Sequence, residues 1–247
     1  MQNTVVITGG SKGIGAEIAS GFSSNKWNVV IGSRNSPSIK EHEKFKYCKF
    51  NATIYDDHVN LINFAEKNYG NIKCYINCAG FSKWSSIENL DNELIDNMID
   101  TNLKGTLWGC KAAASYLKED SSIINISSLA GKRGSANNSI YCATKFAVNG
   151  ITQSLAKELG PNGIRVNSVC PVYVETEGLL DALRHGDSPA NGIEVNSYLN
   201  HFTKSQTALR RLPLGKEVAD LCFYLSSDNA SAITGQCINV DCGVLPQ

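Results

Sequence analysis

Short runs of apolar residues alternate with amphipathic stretches along most of the chain. The runs are rich in β-branched residues and span four to six positions, which is typical of buried strands. Between them, apolar residues recur at intervals of three and four, which predicts helices. The predicted strands occupy residues 4–8, 28–33, 47–51, 74–77, 123–126, 165–169 and 236–240. The main predicted helices occupy residues 56–69, 91–116, 139–159 and 216–226, and a further one follows residue 13.

This alternation of strand and helix predicts an α/β protein. Its sheet should be of the Rossmann type, doubly wound and parallel, with about seven strands and helices on both faces. The chain has 247 residues, of which 42% are hydrophobic, so we expect a single domain over residues 1–247. The pattern fails at residues 171–213, where polar residues and glycines leave only short helical pieces. An irregular segment of this length predicts a lid over a substrate pocket.

The sequence TGGSKGIG at residues 8–15 joins the first predicted strand to a helical pattern. A strand, a glycine turn and a helix place a pyrophosphate on the helix N-terminus, where free N–H groups and the dipole favour anions. Gly9 permits the tight turn, Gly13 lets the backbone approach the phosphates, and Gly15 allows helix and strand to pack closely. A glycine motif alone is weak evidence, but this one has both flanking elements that its mechanism needs.

The end of the second predicted strand indicates which dinucleotide binds. A carboxylate there would bind the adenosine ribose hydroxyls and favour NAD(H). The chain has Ser33 and Arg34 instead, and Lys12 lies inside the glycine turn. Two cations and no carboxylate fit a 2′-phosphate, so NADP(H) is predicted rather than NAD(H). The alternative interpretation is that both cations are ordinary solvated surface charges.

Ser128, Tyr141 and Lys145 form a second group with a chemical use. Ser128 follows the fifth predicted strand, and Tyr141 and Lys145 lie four residues apart, on one face of the next helix. A neighbouring cation favours the phenolate and should lower the pKa of a tyrosine from its usual value of about 10. Ser128 could then hold a substrate oxygen while Tyr141 gives or takes its proton. Taken alone, the tyrosine and lysine could equally be an ordinary helix pair.

Charge and composition exclude several functional classes. The chain carries 23 basic and 23 acidic residues without a long block of one sign, which argues against a nucleic-acid or membrane partner. The N-terminus lacks the features of a signal peptide, and no apolar run approaches the roughly 20 residues of a membrane helix, so we expect a cytoplasmic protein. The nine cysteines include no CxxC motif, and the four histidines show no ligand spacing. We therefore expect neither a disulfide framework nor a metal site.

Several motifs occur together and in one order. They are TGGSKGIG at residues 8–15, NCAG at residues 77–80, Asn102, Ser128 thirteen residues before Tyr141, and YCATK ending at Lys145. In these motifs the chain resembles the short-chain dehydrogenase/reductase family over essentially its whole length. The resemblance implies an enzyme that uses a nicotinamide cofactor to interconvert a ketone and a secondary alcohol. It also implies a homodimer or homotetramer.

The resemblance implies roles for single residues. Tyr141 would be the general acid in reduction and the base in oxidation, and Ser128 would orient the substrate oxygen. Lys145 would bind the nicotinamide ribose and lower the pKa of Tyr141, and Asn102 would hold a water in a proton relay. Substrate contacts are expected from Ser128, Asn138, Tyr141 and Val172. Cofactor contacts are expected from Gly9, Ser11, Lys12, Gly13, Ile14, Gly15, Ser33, Arg34, Asn51, Ala52, Asn77, Ala79, Gly80, Tyr141, Lys145, Pro171, Val174 and Thr176.

Two positions depart from the family pattern near these contacts. Val172 follows Pro171 where the family commonly has glycine, and its side chain should narrow the pocket beside the nicotinamide. Asn51 stands where an acidic residue usually meets the adenine, and an amide can still accept and donate. Trp84, Leu129 and Tyr173 are further candidates for the pocket wall.

The sequence leaves the substrate open. A 3-oxoacyl-carrier-protein reductase is one alternative, but the reductases that dock a carrier protein have basic residues just before the fifth and sixth strands. Here those stretches read KED at residues 118–120 and PNG at residues 161–163, and like charges suppress encounter with an acidic carrier. A non-catalytic NADP(H)-binding sensor or scaffold is the other alternative. Such a protein would be expected to lose the site tyrosine or lysine, and this chain retains both.

Overall fold

Seven parallel strands form one sheet at the centre of the protein. The structure, a computed structural model, describes residues 2–37 and 42–246, and within them the strand order is β3-β2-β1-β4-β5-β6-β7. The strands are β1 (Thr4–Thr8), β2 (Asn28–Ser33), β3 (Phe45–Lys49), β4 (Ile72–Asn77), β5 (Ser121–Ile126), β6 (Ile164–Pro171) and β7 (Cys237–Val240). The order reverses beside β1, so the doubly wound parallel sheet predicted from the sequence is confirmed.

Eight α-helices accompany the sheet in the described part of the chain. They are α1 (Gly13–Ser24), α2 (Tyr55–Asn68), α3 (Asn92–Met98), α4 (Gly105–Tyr116), α5 (Ser139–Leu159), α6 (Glu177–Leu183), α7 (Val195–Gln206) and α8 (Gly215–Ser226). Helices α1 and α8 pack on one face of the sheet, and α2, α4 and α5 pack on the other. Helices α6 and α7 lie in the irregular segment 171–213, near the short helical pieces predicted there.

Alternate strand residues feed the two layers of the core. Val5 and Ile7 contact the layer of α1 and α8, whereas Val6 contacts the layer of α2, α4 and α5. All three side chains are fully buried. Strands covered on both faces read as continuous apolar runs, which is why the sequence pattern identifies them.

Two predicted elements differ from the structure. The third strand was predicted at residues 47–51 but lies at Phe45–Lys49; the Phe50 N–H still donates to the Ser33 carbonyl of β2, and the sheet pairing ends where the Asn51 N–H donates to Asp57 instead. The helix predicted at residues 91–116 is interrupted by a π-helical turn at Ile99–Lys104. Such turns are frequent at functional sites, and this one contains Asn102.

A third, smaller core lies under the segment 171–213. It is centred on the buried side chains of Trp84, Leu183 and Leu199, with half-buried aromatic and aliphatic neighbours. The ring centroids of Tyr173 and Phe202 are 4.8 Å apart, which adds an aromatic contact to this cluster. The segment is therefore packed on a core separate from the two layers that flank the sheet.

The structure holds no disulfide, since all nine cysteines are free. Over residues 2–37 and 42–246, no helix has the length and hydrophobicity needed to cross a membrane. The same residues contain no group of three or more His, Cys, Asp or Glu side chains arranged to hold a metal ion.

Candidate active site

The glycine turn has a geometry that side chains would destroy. Gly9 and Gly13 have φ of 71° and 56°, which lie in the left-handed region that favours glycine. A Cβ on Gly9 would lie 2.8 Å from the Ala79 Cα, and one on Gly15 would lie 2.3 Å from the Gly9 carbonyl oxygen. The roles predicted for Gly9 as the tight turn and Gly15 as the close packing point therefore agree with the observed geometry. Ile14 packs against the core layer of α1 and α8.

Thr8 joins this turn to the neighbouring strand. Its Oγ1 accepts hydrogen bonds from the backbone N–H groups of Cys78, at 3.1 Å, and Ala79, at 3.2 Å. The hydroxyl thereby fixes the loop after β4 against the loop after β1. Sequence reasoning missed this residue, although a hydroxyl at the end of β1, directly before the glycines, was the available signal.

A cavity of about 360 Å³ lies above the glycine turn. Helix α1 begins there without a side-chain cap, so its first N–H groups have no partner from Lys12 at the N-cap. Thr176 caps α6 on the opposite wall, and its Oγ1 accepts from the Leu179 N–H at 3.3 Å. The lining residues are Ser11, Lys12, Gly13, Ala16, Glu17, Val174, Glu175, Thr176, Glu177 and Gly215. Five predicted cofactor residues thus surround a helix N-terminus that suits a phosphate group.

Ser33 and Arg34 lie at the carboxyl end of β2, beside the turn that follows β3. The Phe50 N–H donates to the Ser33 carbonyl at 3.0 Å, which brings the two strand ends together. The Ser33 hydroxyl donates to the Asn35 carbonyl at 2.7 Å. Arg34 is exposed, and within the described residues its guanidinium makes no hydrogen bond or ion pair. The cation predicted to bind a 2′-phosphate is therefore not neutralised by a described protein carboxylate.

Asn51 is less free than its sequence position implied. Its Oδ1 accepts from the Thr53 N–H at 3.2 Å and from the Thr53 hydroxyl at 3.0 Å. The Asn51 Nδ2 group makes no hydrogen bond to a described residue. The sequence led us to expect that the Asn51 amide both accepts and donates hydrogen bonds at the adenine. Because its Oδ1 already accepts twice from Thr53, its Nδ2 group is the part that remains to donate. Ala52, the next predicted contact, is buried.

Ser128, Tyr141 and Lys145 are brought together by the strand β5, a short turn and the helix α5. The turn passes so close to α5 that a Cβ on Gly131 would lie 2.6 Å from the Lys145 carbonyl oxygen. The Ser127 hydroxyl donates to the same carbonyl at 3.2 Å. These contacts fix the end of β5 against the first two turns of α5.

The Ser128 hydroxyl is held at the edge of this group. Its Oγ accepts from the Ala130 N–H at 3.1 Å and donates over a longer distance, 3.5 Å, to the Pro171 carbonyl. Ser128 and Tyr141 are half-buried, so their hydroxyls lie where the interior meets the cleft. The three predicted side chains therefore meet at one point, as their spacing in the sequence indicated.

The pKa of Tyr141 differs from the prediction. Burial raises it to about 12, and a hydrogen-bonding interaction with Ser128 acts in the opposite direction. Lys145 does not lower the pKa of Tyr141, because its own pKa of about 8 makes the lysine neutral before Tyr141 titrates; the Lys145 Nζ lies over the ring, 5.7 Å from its centroid. The phenol therefore stays protonated at neutral pH, which is the form that donates a proton.

Lys145 is a buried cation, with 7% of its surface exposed. Its Nζ donates to the Ile126 carbonyl at 2.8 Å. Burial disfavours the ammonium and lowers the pKa of Lys145 to about 8. Lysines whose pKa is lowered by burial occur at proton-transfer sites and also at purely structural positions.

Asn102 is buried between α5 and the loop after β4. Its Oδ1 accepts from the Phe81 N–H at 3.0 Å, and its Nδ2 donates to the Phe81 carbonyl at 2.9 Å. The side chain is thereby committed to the backbone of Phe81. The Asn102 backbone carbonyl accepts from the Thr106 hydroxyl at 2.8 Å, and the water expected beside Asn102 stays a prediction.

Three further predicted cofactor residues lie around the same point. Gly80 adjoins both Asn102 and Lys145, since a Cβ there would lie 3.0 Å from the Asn102 Oδ1 and 3.8 Å from the Lys145 Nζ. Pro171 ends β6 and supplies the carbonyl that faces Ser128. The Asn77 side chain instead points into the core, where its Nδ2 donates to the Asn125 Oδ1 at 2.9 Å, so its backbone is the part that remains for a cofactor.

The substrate side of the site is formed by α5 and the segment 171–213. Asn138 precedes α5, is 4% exposed, and makes no side-chain cap bond, and its buried Oδ1 has no hydrogen-bond partner. Val172 is half-buried and donates its N–H to the Val240 carbonyl at 3.2 Å. The Tyr173 hydroxyl lies 3.4 Å from that of Tyr198. A buried amide without partners and two facing phenols give this side neutral polar groups.

Comparison with known proteins places this arrangement among enzymes. Residues 3–185 match the family described as short chain dehydrogenase. The chain is 32% identical over 256 aligned positions to a diacetyl reductase, (S)-acetoin forming, of Staphylococcus epidermidis, and the alignment covers 99% of each protein.

Solved structures agree with the sequence match. The ligand-free aldohexose dehydrogenase of Thermoplasma acidophilum has a TM-score of 0.89 at 30% identity, covering 100% of this chain and 98% of that one. A single-substitution variant of actinorhodin polyketide ketoreductase with NADPH has a TM-score of 0.87 at 25% identity, covering 98% of this chain and 97% of that one. The extent of the match, together with the geometry of the site, shows that the chain belongs to the short-chain dehydrogenase family.

Proposed function

We propose that this protein is an NADP(H)-dependent oxidoreductase that interconverts a ketone and a secondary alcohol. The observation that carries the proposal is the meeting of Ser128, Tyr141 and Lys145 at one point beside the glycine turn. Tyr141 is protonated, Lys145 is a buried cation, and Ser128 presents a hydroxyl next to the phenol. These groups match the needs of proton transfer to or from a substrate oxygen.

The residues present fit a phosphorylated dinucleotide cofactor. The uncapped N-terminus of α1 and the cavity above it suit a pyrophosphate, and the exposed Arg34 and Lys12 suit a 2′-phosphate. A related ketoreductase has been solved with NADPH, which favours the same choice here. When bound, the nicotinamide ring supplies or accepts the hydride.

The chain's own residues handle the oxygen of the substrate. In reduction, the Tyr141 hydroxyl gives its proton to the carbonyl oxygen, whose carbon receives the hydride, and the Ser128 hydroxyl holds that oxygen in place. The Lys145 ammonium stabilises the phenolate that forms, and the relay through Asn102 returns a proton to Tyr141. Oxidation runs the same transfers in reverse. Burial keeps Tyr141 protonated before reaction, which is the form that donates the proton in reduction.

The substrate is proposed to be a small polar ketone or the corresponding alcohol. The similarity to a diacetyl reductase and to an aldohexose dehydrogenase favours a compact, oxygen-rich molecule. Asn138 and Val172 are proposed as substrate contacts, and the buried Oδ1 of Asn138 has no hydrogen-bond partner among the described residues. The segment 171–213 is proposed to act as a lid, since it packs over the site on its own small core.

Assembly and location are proposed from surface features. Leu107 on α4 and Phe146 on α5 are 40% and 47% exposed, and these helices are proposed to form part of a homodimer or homotetramer interface. The nine free cysteines are consistent with a reducing, cytoplasmic location. Sedimentation of the purified chain tests the assembly directly, and a monomer at micromolar concentration would contradict it.

The decisive experiment measures NADPH oxidation and NADP⁺ reduction with a panel of ketones and alcohols. The panel should span small diketones and hydroxyketones, cyclic ketones, keto-sugars, sugar nucleotides, steroids and acyl thioesters. The Tyr141→Phe variant serves as the control. We expect a small polar ketone to be reduced with NADPH only when Tyr141 is present.

Each other outcome has a definite meaning. Turnover that survives Tyr141→Phe removes this residue from its proposed role. A response to an acyl thioester alone assigns the protein to carrier-protein reduction. Binding of NADPH without turnover across the panel would support the sensor alternative.

A further inference from the structure

His58 differs from the other three histidines because it is completely buried, whereas they are exposed. It lies in the first turns of α2 and faces back toward the turn formed by residues 51–53. Its Nε2 lies 2.9 Å from the Ala52 carbonyl oxygen, and its Nδ1 lies 2.9 Å from the Tyr75 hydroxyl on β4. The imidazole therefore bridges a central strand and a loop at the carboxyl edge of the sheet.

The chemistry of these partners fixes the protonation of the ring. A backbone carbonyl can only accept, so Nε2 carries the hydrogen and donates it to Ala52. Nδ1 then accepts from the Tyr75 hydroxyl, which is itself fully buried. The neutral ring satisfies both of its nitrogens and the Tyr75 donor.

The turn that His58 holds is fixed at each of its residues. The Asn51 N–H donates to the Asp57 carboxylate at 2.7 Å, the Ala52 carbonyl accepts from His58, and Thr53 donates twice to the Asn51 side chain. Asp57 and His58 are adjacent on α2, so one helix end determines the position of two successive turn residues.

Close packing leaves the Ala52 carbonyl little freedom. A Cβ on Gly105 of α4 would lie 3.0 Å from that oxygen, so the helix backbone passes directly beside it. The Phe50 ring meets the His58 ring edge to face, with centroids 4.7 Å apart. The imidazole is therefore clamped in the position from which it directs the turn.

This turn adjoins the end of β2, where Ser33 and Arg34 lie, because Phe50 donates to the Ser33 carbonyl. In open parallel sheets, ligands bind outside the carboxyl ends of the strands. We propose that His58 is a positioning residue for the cofactor, which fixes the turn of residues 51–53 against the adenosine end. The proposal rests on the proposed function, since it assumes that a dinucleotide occupies this edge.

The same geometry makes the turn sensitive to acid. A protonated ring would donate from both nitrogens, so the Tyr75 hydroxyl would have to turn and leave its hydrogen without an acceptor. The titratable groups that face His58 are Asp57 on its own helix and Tyr75 on β4, with Cys110 of α4 beyond Tyr75. The Asp57 carboxylate, which also accepts from Asn51, offsets part of the new charge, but burial of the ring outweighs it.

Burial lowers the pKa of His58 below its usual value of 6.5, so the ring stays neutral around pH 7. Affinity for the adenosine end should therefore be level near neutral pH and fall as acidification protonates His58. At acid pH His58 is charged more readily in the unfolded chain than in the folded one. The free energy of unfolding should therefore also decrease as the pH falls below 6.5.

The test is calorimetric titration of the full chain with adenosine 2′,5′-bisphosphate, a probe that lacks the nicotinamide. His58→Leu removes both hydrogen bonds at similar volume. His58→Gln keeps an amide donor near the position of Nε2 and does not titrate. His201→Gln, at an exposed histidine, is the matched control.

We expect His58→Leu to weaken the probe by about tenfold, the scale of one lost or misplaced hydrogen bond. His58→Gln should restore binding at pH 7 to within about threefold, and it should lose less affinity than wild type and His201→Gln as the pH falls from 7 to 5, a range in which the probe's own phosphates titrate equally for every variant. A folded His58→Leu variant that binds like wild type overturns the proposal. A His58→Gln variant that loses as much affinity for the probe at acid pH as wild type does also overturns the proposal. If His58→Leu does not fold, the comparison between wild type and His58→Gln decides alone.

Failure of the proposed function has a different signature. In that case wild type binds neither the probe nor NADPH at any pH, and the His58 variants change nothing but stability. Failure of the present inference instead leaves wild-type binding intact and the variants indistinguishable from it.

Discussion

The catalytic end of the sheet and the segment 171–213 are held in different ways. Lys145 is bonded through its Nζ to the end of β5, and the Ser127 hydroxyl bonds the Lys145 carbonyl, so α5 and a fully buried strand fix each other. The segment is packed mainly through a small cluster around Trp84, Leu183 and Leu199, with the half-buried phenols of Tyr173 and Tyr198 packed against it. The proposed chemistry therefore lies on a rigid scaffold, whereas the proposed substrate specificity lies on a part of the chain with fewer buried contacts.

The Tyr141→Phe variant is the strongest test of the catalytic end of the sheet. Removal of the hydroxyl should lower kcat by about 10²–10⁴-fold, the usual contribution of a general acid or base, and leave NADPH affinity nearly intact. Steady-state kinetics and NADPH fluorescence measure the two effects. Tyr224→Phe, at an exposed tyrosine, is the control and should behave as wild type. A variant that loses NADPH binding instead would show that the site depends on Tyr141 for its structure.

The packing of the segment is tested by Trp84→Ala. Truncation of a buried tryptophan costs about 3–5 kcal/mol, and here the loss should be confined to the opening of α6 and α7. Hydrogen exchange should show faster exchange in those helices, and KM for the substrate should rise by more than NADPH affinity falls, since only the first residues of α6 line the cofactor cavity. Phe22→Ala, in the main core, is the contrasting variant and should lower the global free energy of unfolding. Uniformly faster exchange over the sheet in Trp84→Ala would remove the distinction between the two regions.

Arg34→Ala tests a charge that lies at the sheet edge but is exposed. Loss of a charged hydrogen bond to the 2′-phosphate should weaken NADPH by about 1.5–3 kcal/mol and leave NADH almost unchanged. Binding titrations with both cofactors provide the measurement. Equal losses for NADPH and NADH would show that Arg34 does not distinguish them.

Lys145→Met should raise the free energy of unfolding, whereas most substitutions in a protein core lower it. The folded pKa of Lys145, about 8, is below its usual 10.5, so its charge destabilises the fold at pH 7, and this penalty is relieved as the pH rises from 8 to 10.5. Because the hydrogen bond to Ile126 is lost as well, we expect a net gain of about 2 kcal/mol in the free energy of unfolding at pH 7. Turnover should be lost.

Denaturant unfolding at pH 7 and pH 10 measures the expected gain in the free energy of unfolding of Lys145→Met. The gain should shrink at the higher pH, since wild-type Lys145 is then mostly neutral in the folded state. A gain of equal size at both values would mean that packing, rather than charge burial, is responsible.

The sequence pattern was sufficient for elements whose local signals agree with their tertiary environment. Buried parallel strands such as β1 and β2 each contain a run of three β-branched apolar residues, so their positions follow from the sequence pattern. It was insufficient where a long-range contact decides the local structure. The π-helical turn around Asn102 accompanies hydrogen bonds to Phe81, and the end of β3 depends on the bond between Asn51 and Asp57.

For the site, spacing predicted which residues meet but not their electrostatic state. Tyr141 and Lys145 face each other because four residues make about one helical turn, whatever surrounds them. The pKa of Tyr141 depends instead on how deeply the chain buries it and on its interaction with Ser128. Likewise, nothing in the sequence around His58 predicts a contact with Tyr75, since the two residues belong to different elements.

The sequence by itself therefore determined the order of strands and helices, the glycine turn and which side chains meet at the candidate site. These features depend on periodicity, backbone freedom and spacing, all of which are local properties of the chain. The tertiary structure decided which side chains are buried, which polar atoms are already paired and which remain free for a ligand. Those properties depend on desolvation and on hydrogen bonds between distant residues, which form only when the sheet has brought its strand ends together.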